Sequence, residues 1–275
     1  MRKEGGERRE AGGGTSDMAN ENVDQSGSAE PPSRLSPLAS RAASRAASRD
    51  VGVIIVAAGA GSRTGSKELK QFRWVAGKPM LLHSLQAFQA RPEVAMVVCV
   101  LPREYVADPP PWIFQCDTDR LLLSLGGAHR GESVANGLED LPPECEIVVI
   151  HDAARPLVTQ ETIGRVIDEA RKGNGAVAAI PVSDTLKRVD SSGNVVVTVD
   201  RFGLWRAQTP QAFPRPVIER AHREAREVDR VATDDAALCE QIGLPVVVVR
   251  GSERALKITE EKDFALAEAL SIFRE

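Results

Sequence analysis

Aromatic residues are scarce: one tyrosine, three tryptophans and seven phenylalanines make up 4% of the 275 residues. The first 50 residues contain none of them, and no isoleucine. That segment is rich in Gly, Ser, Arg and Glu and cannot bury enough apolar surface to offset chain entropy, so a disordered tail over 1–50 is expected. Its Arg- and Ser-rich repeat suggests a transit peptide, but its eight acidic residues argue against one, and Met18 or a later start is an equal alternative. Eight basic residues balance those acids, so residues 51–275 carry the net charge of −4. A mildly acidic domain lacks the basic surface that a phosphate backbone demands, which argues against nucleic acid as a partner.

Long apolar runs are missing too. No stretch approaches the ~20 residues of a membrane-spanning helix, and none reads as the apolar core of a secretory signal, so no membrane association is expected. Cys99, Cys116, Cys145 and Cys239 lie far apart with no C-x-x-C pair. They are expected to be reduced and structural, as in a cytoplasmic protein. The four histidines show no ligand spacing, which sets aside a zinc site.

What is present is an alternation. Apolar, strand-like runs recur at Val53–Ala57, Val94–Leu101, Leu121–Leu125, Ile147–Ile150, Ala176–Ile180 and Val246–Val249. Between them lie helical patterns. Pro79–Ala90 has Leu81, Leu82, Leu85 and Phe88 at helical spacing, with proline in the first turn. A second helix is expected to begin at Ser133, with Val134, Leu138 and Leu141 inward. Thr159 is a candidate N-cap for a helix running to Lys172 and ended by Gly173, and Thr233 for one over Asp234–Gln241. A last helix covers Ala265–Phe273. Strands alternating with helices imply a mostly parallel, layered α/β sheet. One segment breaks the rhythm: residues 181–201 alternate polar and apolar around Ser191-Ser192-Gly193-Asn194, as a β-hairpin does.

The densest signal is Val53 to Phe72, VIIVAAGAGSRTGSKELKQF. A run fit for a strand buried on both faces ends in Ala57-Ala58-Gly59-Ala60-Gly61. Small residues there let backbone N–H groups approach a ligand, and Arg63 and Lys70 add two cations. The dinucleotide fingerprint does not fit, because its third glycine position is Thr64 and no obvious acidic residue follows at about 20 residues. A P-loop does not fit either, since Gly61 and Gly65 are too close and Ser66 precedes Lys67. Alone, the loop reads better as a tight strand-to-loop turn with solvated basic residues. A second signal is His151-Asp152, directly after the run Ile147–Ile150, where ligands of open α/β sheets bind. A carboxylate there suits Mg²⁺, or else simply caps a turn.

The Ala-Ala-Gly-x-Gly-x-Arg and Lys-Gln-Phe pieces resemble the nucleotide loop of the 2-C-methyl-D-erythritol 4-phosphate cytidylyltransferases. Five further pieces match that family in order: Gly126-Gly127 with Arg130, Ser133 and Asn136-Gly137-Leu138; His151-Asp152-Ala153-Ala154-Arg155-Pro156; Asp184-Thr185-x-Lys187; Leu204-Trp205-x-Ala207-x-Thr209-Pro210-Gln211; and Thr233-Asp234-Asp235-Ala236 followed by Lys257-Ile258-Thr259. The resemblance spans residues 51–275. It implies a Rossmann-like, mostly parallel sheet flanked by helices, of the nucleotide-diphospho-sugar transferase type, with residues 181–201 as a protruding β-arm that pairs two subunits into a homodimer. A solvent-exposed flap is the other reading of that arm.

The resemblance also implies roles. Ala57, Ala58, Gly59 and Gly61, with Gly126, Gly127 and Ser133, are expected to bind CTP, the second group reading cytosine. Arg63, Lys70, Asp152 and Lys257 are expected to be catalytic, with Asp152 the ligand of Mg²⁺ or another divalent cation. Arg155, Thr185, Arg201, Thr209 and Lys257 are expected around 2-C-methyl-D-erythritol 4-phosphate, Arg201 reaching across the dimer. Thr233-Asp234-Asp235 is equally explained as a capped helix start. The chain departs from the family at Leu69 (usually Pro), Ala128 (Asp in some members) and Ala255 (typically Asn).

The activity implied is cytidylyl transfer from CTP in non-mevalonate isoprenoid synthesis. A ribitol 5-phosphate cytidylyltransferase would share the fold, but the Ala153-Ala154 pair leans towards the methylerythritol enzyme. A non-catalytic nucleotide-binding module would have no need of Arg63, Lys70, Asp152 and Lys257 together.

Overall fold

The structure, a computed structural model, describes residues 49–59, 69–228 and 232–273. Residues 1–48 of the expected tail, with Gly61 and Arg63, lie outside the described residues; Asp50, at the tail's end, is buried and paired with Arg171 at 2.6 Å. The chain enters through β1 (Val51–Val56), five of whose six residues are buried. A short hairpin, β2 (Trp74–Val75) and β3 (Lys78–Pro79), turns through Ala76 and Gly77, both at positive φ, as a two-residue hairpin turn requires. Then come α1 (Met80–Gln89), β4 (Val94–Leu101), α2 (Arg103–Ala107), β5 (Leu121–Leu125), α3 (Arg130–Asp140), β6 (Ile147–Asp152), α4 (Gln160–Arg171) and β7 (Gly175–Pro181). The arm is β8 (Leu186–Val189) and β9 (Val195–Val199), followed by β10 (Trp205–Pro214), α5 (Arg215–Glu227), α6 (Asp235–Gln241), β11 (Val246–Arg250) and α7 (Lys262–Ile272).

Seven of the described strands form one sheet in the order β11-β7-β10-β6-β1-β4-β5. β1 runs parallel to both neighbours, with Val56 level with Val100 on β4 and Asp152 on β6. From β1 the chain builds outward first through β4 and β5 and then, on the other side, through β6. That reversal opens a crevice at the carboxyl ends of β1 and β6, the place where open α/β sheets take ligands. Only β10 is antiparallel to its neighbours, β6 and β7.

Side chains alternate across β1, so the sheet has two apolar faces. Val53 and Ile55 pack with Leu81, Leu85 and Phe88 of α1 and Ile163 and Val166 of α4. Ile54 faces the other way, with Val134 and Leu138 of α3 and Ile218 and Ala221 of α5. A third, smaller cluster ties Val75 and Met80 to Ile258, Phe264 and Ala267, which docks the C-terminal segment against the β2–β3 hairpin and the start of α1.

All six expected strands are present. β10 has no counterpart in the apolar pattern, because six of its ten residues are polar or proline and it never alternates cleanly. Its buried polar groups are satisfied by loops instead: Gln208 donates to the Ser252 carbonyl at 2.9 Å and Gln211 to Asp234 at 2.8 Å. α5 is hidden for a similar reason, its buried stripe being thin: Ile218, Ala221, His222 and Ala225 among charged residues. Three helix starts differ from expectation. Pro79 caps α1 rather than entering it, α3 begins at Arg130 rather than Ser133, and Asp234 rather than Thr233 caps α6, accepting the Ala237 N–H at 3.0 Å. The last helix also starts earlier, at Lys262.

The hairpin at 181–201 is present as a separate antiparallel pair, Leu186 opposite Val199. Its turn is closed by Asp190, whose carboxylate accepts N–H groups from Ser192 and Asn194, each at 2.9 Å. Val195, Val196 and Val197 are exposed on it. Among the described residues, no helix is long and apolar enough to cross a membrane.

Candidate active site

A cleft of about 500 Å³ lies at the carboxyl ends of β1 and β6. Its first wall is the loop after β1. The Ala57 N–H still belongs to the sheet, donating to the Val100 carbonyl at 2.9 Å. Beyond it, the N–H groups of Ala58 and Gly59 have no protein partner among the described residues, and both residues line the cleft. Unpaired main-chain donors in a small-residue turn are what a phosphate group accepts from.

The opposite wall is the turn from β5 into α3. Gly126 packs so closely on the first wall that a Cβ would come within 2.2 Å of the Ala58 Cβ. Gly127 is constrained likewise by the Glu132 side chain, at 2.3 Å from a hypothetical Cβ. Ser133 accepts the Gly127 N–H at 3.0 Å and donates to the His129 carbonyl at 3.1 Å, while Glu132 accepts the Ala128 N–H at 2.7 Å. The first turn of α3 therefore shapes this loop. Gly127 and Ser133 reach the cleft; Gly126 is not among its lining residues and acts through the close contact between the walls.

Asp152 ends β6 at the floor of the cleft and is 8% exposed. Lys257 approaches one carboxylate oxygen at 2.7 Å and Arg130 Nε the other at 3.1 Å. Burial opposes ionisation here, but Arg130 and Lys257 outweigh it and hold the carboxyl well below the usual carboxylate range. Arg130 in turn gives Nη1 to Asp235 at 2.7 Å, and Asp235 meets His222 at 3.0 Å. Burial works against the Arg130 charge as well, yet Asp235 and Asp152 raise its pKa above the ordinary guanidinium value. Its Nη2 is buried without a partner among the described residues.

Lys70 begins a short 3₁₀ turn, Lys70–Phe72, and lines the cleft. It donates to the Ile258 carbonyl at 2.8 Å, while the Ile258 N–H donates to the Ala154 carbonyl at 2.8 Å. The segment carrying Lys257 and Thr259 is thus bound both to the Lys70–Phe72 turn and to the turn after β6. Three cations and one carboxylate face the cleft from the described residues, a balance suited to a polyanion.

His151 lies beneath this floor, fully buried. Its Nε2 is 3.1 Å from the Arg155 carbonyl, which can only accept, so Nε2 carries the proton. Nδ1 then accepts from the Thr209 hydroxyl at 3.2 Å, and that hydroxyl oxygen accepts the Asp152 N–H at 3.0 Å. Burial lowers the His151 pKa to about 4, with Asp152 opposing, so the ring is neutral. Thr209 is accordingly buried, its hydroxyl committed to holding the Asp152 backbone. Arg155 is also below the cleft, with Nη1 on the Ala255 carbonyl at 2.7 Å and Nη2 on Ala207 at 3.5 Å. Burial lowers its pKa, against the pull of Asp152, and its Nε has no partner among the described residues.

The cleft brings together Ala57, Ala58, Gly59, Lys70, Gly127, Ser133, Asp152 and Lys257. Thr185 and Arg201 are not among its lining residues; both are exposed at the base of the arm, where Arg201 donates to the Ser183 carbonyl. Residues given no role from sequence also take part: Gln71, Arg130 and Asp235. All three lie inside matched segments, but nothing local distinguishes a site residue from a neighbour. Among the described residues no group of three or more His, Cys, Asp or Glu could hold a metal ion. Asp152 is the one carboxylate lining the described cleft, which suits a hard cation that arrives already bound to phosphate oxygens and keeps most of its other ligands.

A family model described as 2-C-methyl-D-erythritol 4-phosphate cytidylyltransferase matches residues 51–272. The protein of that name from Syntrophus aciditrophicus is 42% identical over 219 residues, covering 78% of this chain and 93% of the relative. Its namesake from Streptomyces coelicolor is 42% identical over 228 residues, covering 79% and 83%. The crystal structure of 2-C-methyl-D-erythritol 4-phosphate cytidylyltransferase from Thermus thermophilus aligns with a TM-score of 0.69 at 35% identity, over 82% of this chain and 100% of that one. With the cleft, its cations and the sheet order, these matches place the chain in the 2-C-methyl-D-erythritol 4-phosphate cytidylyltransferase family.

Proposed function

We propose a division of labour within the cleft for the reaction of this nucleotidyltransferase, which moves the cytidylyl group of CTP onto 2-C-methyl-D-erythritol 4-phosphate in isoprenoid biosynthesis. A phosphate oxygen of the acceptor attacks the α-phosphorus of CTP; that O–P bond forms as the bond to the bridging oxygen breaks and pyrophosphate leaves. Little covalent chemistry falls to the protein, whose task is alignment of two anions and compensation of charge.

The observation that carries this reading is the juxtaposition of Lys70, Arg130 and Lys257 with a single ionised Asp152 beside unpaired main-chain donors. The N–H groups of Ala58 and Gly59, with Lys70 and Arg63, hold the triphosphate, and the unpaired Arg130 Nη2 gives a further donor. Lys257 stands between the α-phosphate and the acceptor. Gly126, Gly127 and Ser133 form the turn that reads cytosine. Asp152 is the residue that would hold Mg²⁺, or another divalent cation, whose charge would offset that building on the phosphoryl oxygens. Arg155 and Thr209 support the acceptor side by fixing Ala255 and Asp152 in place. Thr185 and Arg201 meet the acceptor phosphate from the arm of a second copy, and the exposed Val195, Val196 and Val197 supply the apolar surface for that homodimer. Four free cysteines among the described residues suit the reducing cytoplasm.

The test is pyrophosphate release with Mg²⁺, crossing CTP and UTP against methylerythritol 4-phosphate and ribitol 5-phosphate. Turnover confined to CTP with methylerythritol 4-phosphate is expected. Turnover with ribitol 5-phosphate alone would move the acceptor assignment, and CTP binding without turnover would sink the catalytic reading.

A further inference from the structure

Gln71 has no part in the roles above, yet it is 4% exposed and lines the cleft between Lys70 and Phe72. A buried amide is unfavourable unless its donors are bonded. Here Nε2 donates to two carbonyls of the nucleotide loop, Ala57 and, at 3.3 Å, Gly59. Its position is set from behind: the Phe72 ring packs edge-on against Tyr105 at 4.7 Å and Trp112 at 5.4 Å. The 3₁₀ turn is thereby anchored to the core, and with it the amide.

A trans peptide holds its C=O and the following N–H on opposite sides. Each carbonyl drawn to Gln71 therefore fixes a peptide plane, and the plane that begins at Ala57 carries the Ala58 N–H away from Gln71. Ala58 and Gly59 are the residues whose N–H groups lack a protein partner among the described residues. Without the amide these planes would be freer to rotate, since small residues resist rotation least.

We propose that Gln71 is a positioning residue for the triphosphate. Its amide locks the peptide planes that begin at Ala57 and Gly59, so that the Ala58 N–H, and the Gly59 N–H in the plane hinged between them, stay aimed at phosphate oxygens. The inference rests on the reading of the cleft as a CTP site. It makes a single turn deliver both a cation, Lys70, and the orientation of neutral donors that act beside it.

Gln71→Met keeps the length and removes the donors; Gln71→Glu keeps the shape and sets a carboxylate oxygen against the two carbonyls. For either variant, KM for CTP and the Kd for Mg²⁺-tripolyphosphate by calorimetry should rise together by about tenfold, one aligned phosphate hydrogen bond (~1.4 kcal/mol). KM for methylerythritol 4-phosphate should stay within about twofold in both variants, and the melting temperature of Gln71→Met without nucleotide within about 3 °C, a change of ~1 kcal/mol. An unchanged KM for CTP in a folded variant would overturn the proposal, as would parallel loss of both substrates with a falling melting temperature. Should both variants fail to fold, hydrogen exchange on the wild-type protein decides. Tripolyphosphate, but not cytidine, should protect the Ala58 and Gly59 amides, and equal exchange with and without it would overturn the proposal. Wild-type protein that binds neither CTP nor tripolyphosphate would overturn the reading of the cleft and this inference with it; wild-type turnover with indifferent variants would overturn this inference alone.

Discussion

Acid should destabilise this protein in a way traceable to one imidazole. His151 is fully buried beneath the active-site floor, and burial lowers its pKa from 6.5 to about 4. In the unfolded chain the ring protonates first, so the unfolded state binds more protons throughout that interval. The stabilisation is therefore fully present above about pH 6.5 and is lost as pH falls towards 4. At ~1.4 kcal/mol per pH unit, the loss amounts to about 3 kcal/mol, a large share of a typical domain's stability. The structure gives the local reason: protonating Nδ1 would turn an acceptor into a donor facing the Thr209 hydroxyl proton, 3.2 Å between heavy atoms.

Urea unfolding at several pH values between about 7.5 and 4.5 measures this, with His151→Gln as the reference. Glutamine offers a donor for the Arg155 carbonyl and does not titrate. It loses the edge-on contact with Phe88, centroids 5.0 Å apart, so it should be less stable than wild type at neutral pH but with a flatter pH dependence. His83, whose pKa burial also lowers, is present in both proteins and cancels. Asp152 and Asp235, with pKa values held below the ordinary range, add their losses only in stronger acid, at pH below about 4. Parallel stability curves for wild type and variant, or a wild-type loss under about 1 kcal/mol across the interval, would refute the assignment of a neutral His151.

Asp235→Ala removes a carboxylate that is 1% exposed and shared by Arg130 and His222. Leaving that guanidinium short of a partner should lower stability by about 3–5 kcal/mol, a fall of ~10 °C in melting temperature by calorimetry; a drop under ~3 °C would mean the pair is dispensable. Lys70→Ala and Lys257→Ala should each reduce kcat/KM by about 10²–10³-fold in the pyrophosphate assay, and a loss under tenfold would take the residue out of the machinery. Asp152→Asn should raise the Mg²⁺ concentration needed for half-maximal CTP binding, read by calorimetry, by about tenfold or more. Val196→Glu places a charge on the arm at a residue 63% exposed, so it should convert dimer to monomer in sedimentation while changing the protomer's stability by no more than ~0.5 kcal/mol. Unaltered sedimentation would argue for a flap rather than a dimer arm.

Six main-sheet strands are legible in the sequence because each is a continuous or nearly continuous apolar run, the pattern of a strand buried on both faces. The arm is legible from its alternation and its Ser-Ser-Gly-Asn turn. Helix ends read to within a few residues, and shift where two adjacent residues could both cap, as at Thr233-Asp234. β10 and α5 are opaque for a shared reason: their buried positions are polar or small, so hydrophobic period carries no signal. A glutamine buried in a strand looks exposed until the loop that satisfies it is known.

The sequence alone determined the alternating α/β class, the small residues that directly follow β1, the acidic residue at the end of β6 and, through ordered motifs, the family. These are local properties, set by runs of a few residues. The tertiary structure decided what those residues do to one another. Lys257 reaches Asp152 across 105 residues of chain, and Lys70 reaches the Ile258 carbonyl across 188. It also placed Arg130 between two carboxylates, buried Thr209 under the floor, and revealed Gln71 as the contact behind the segment after β1. Such charge and hydrogen-bond partnerships depend on which strand ends the sheet order brings together, and no spacing along the chain encodes that directly.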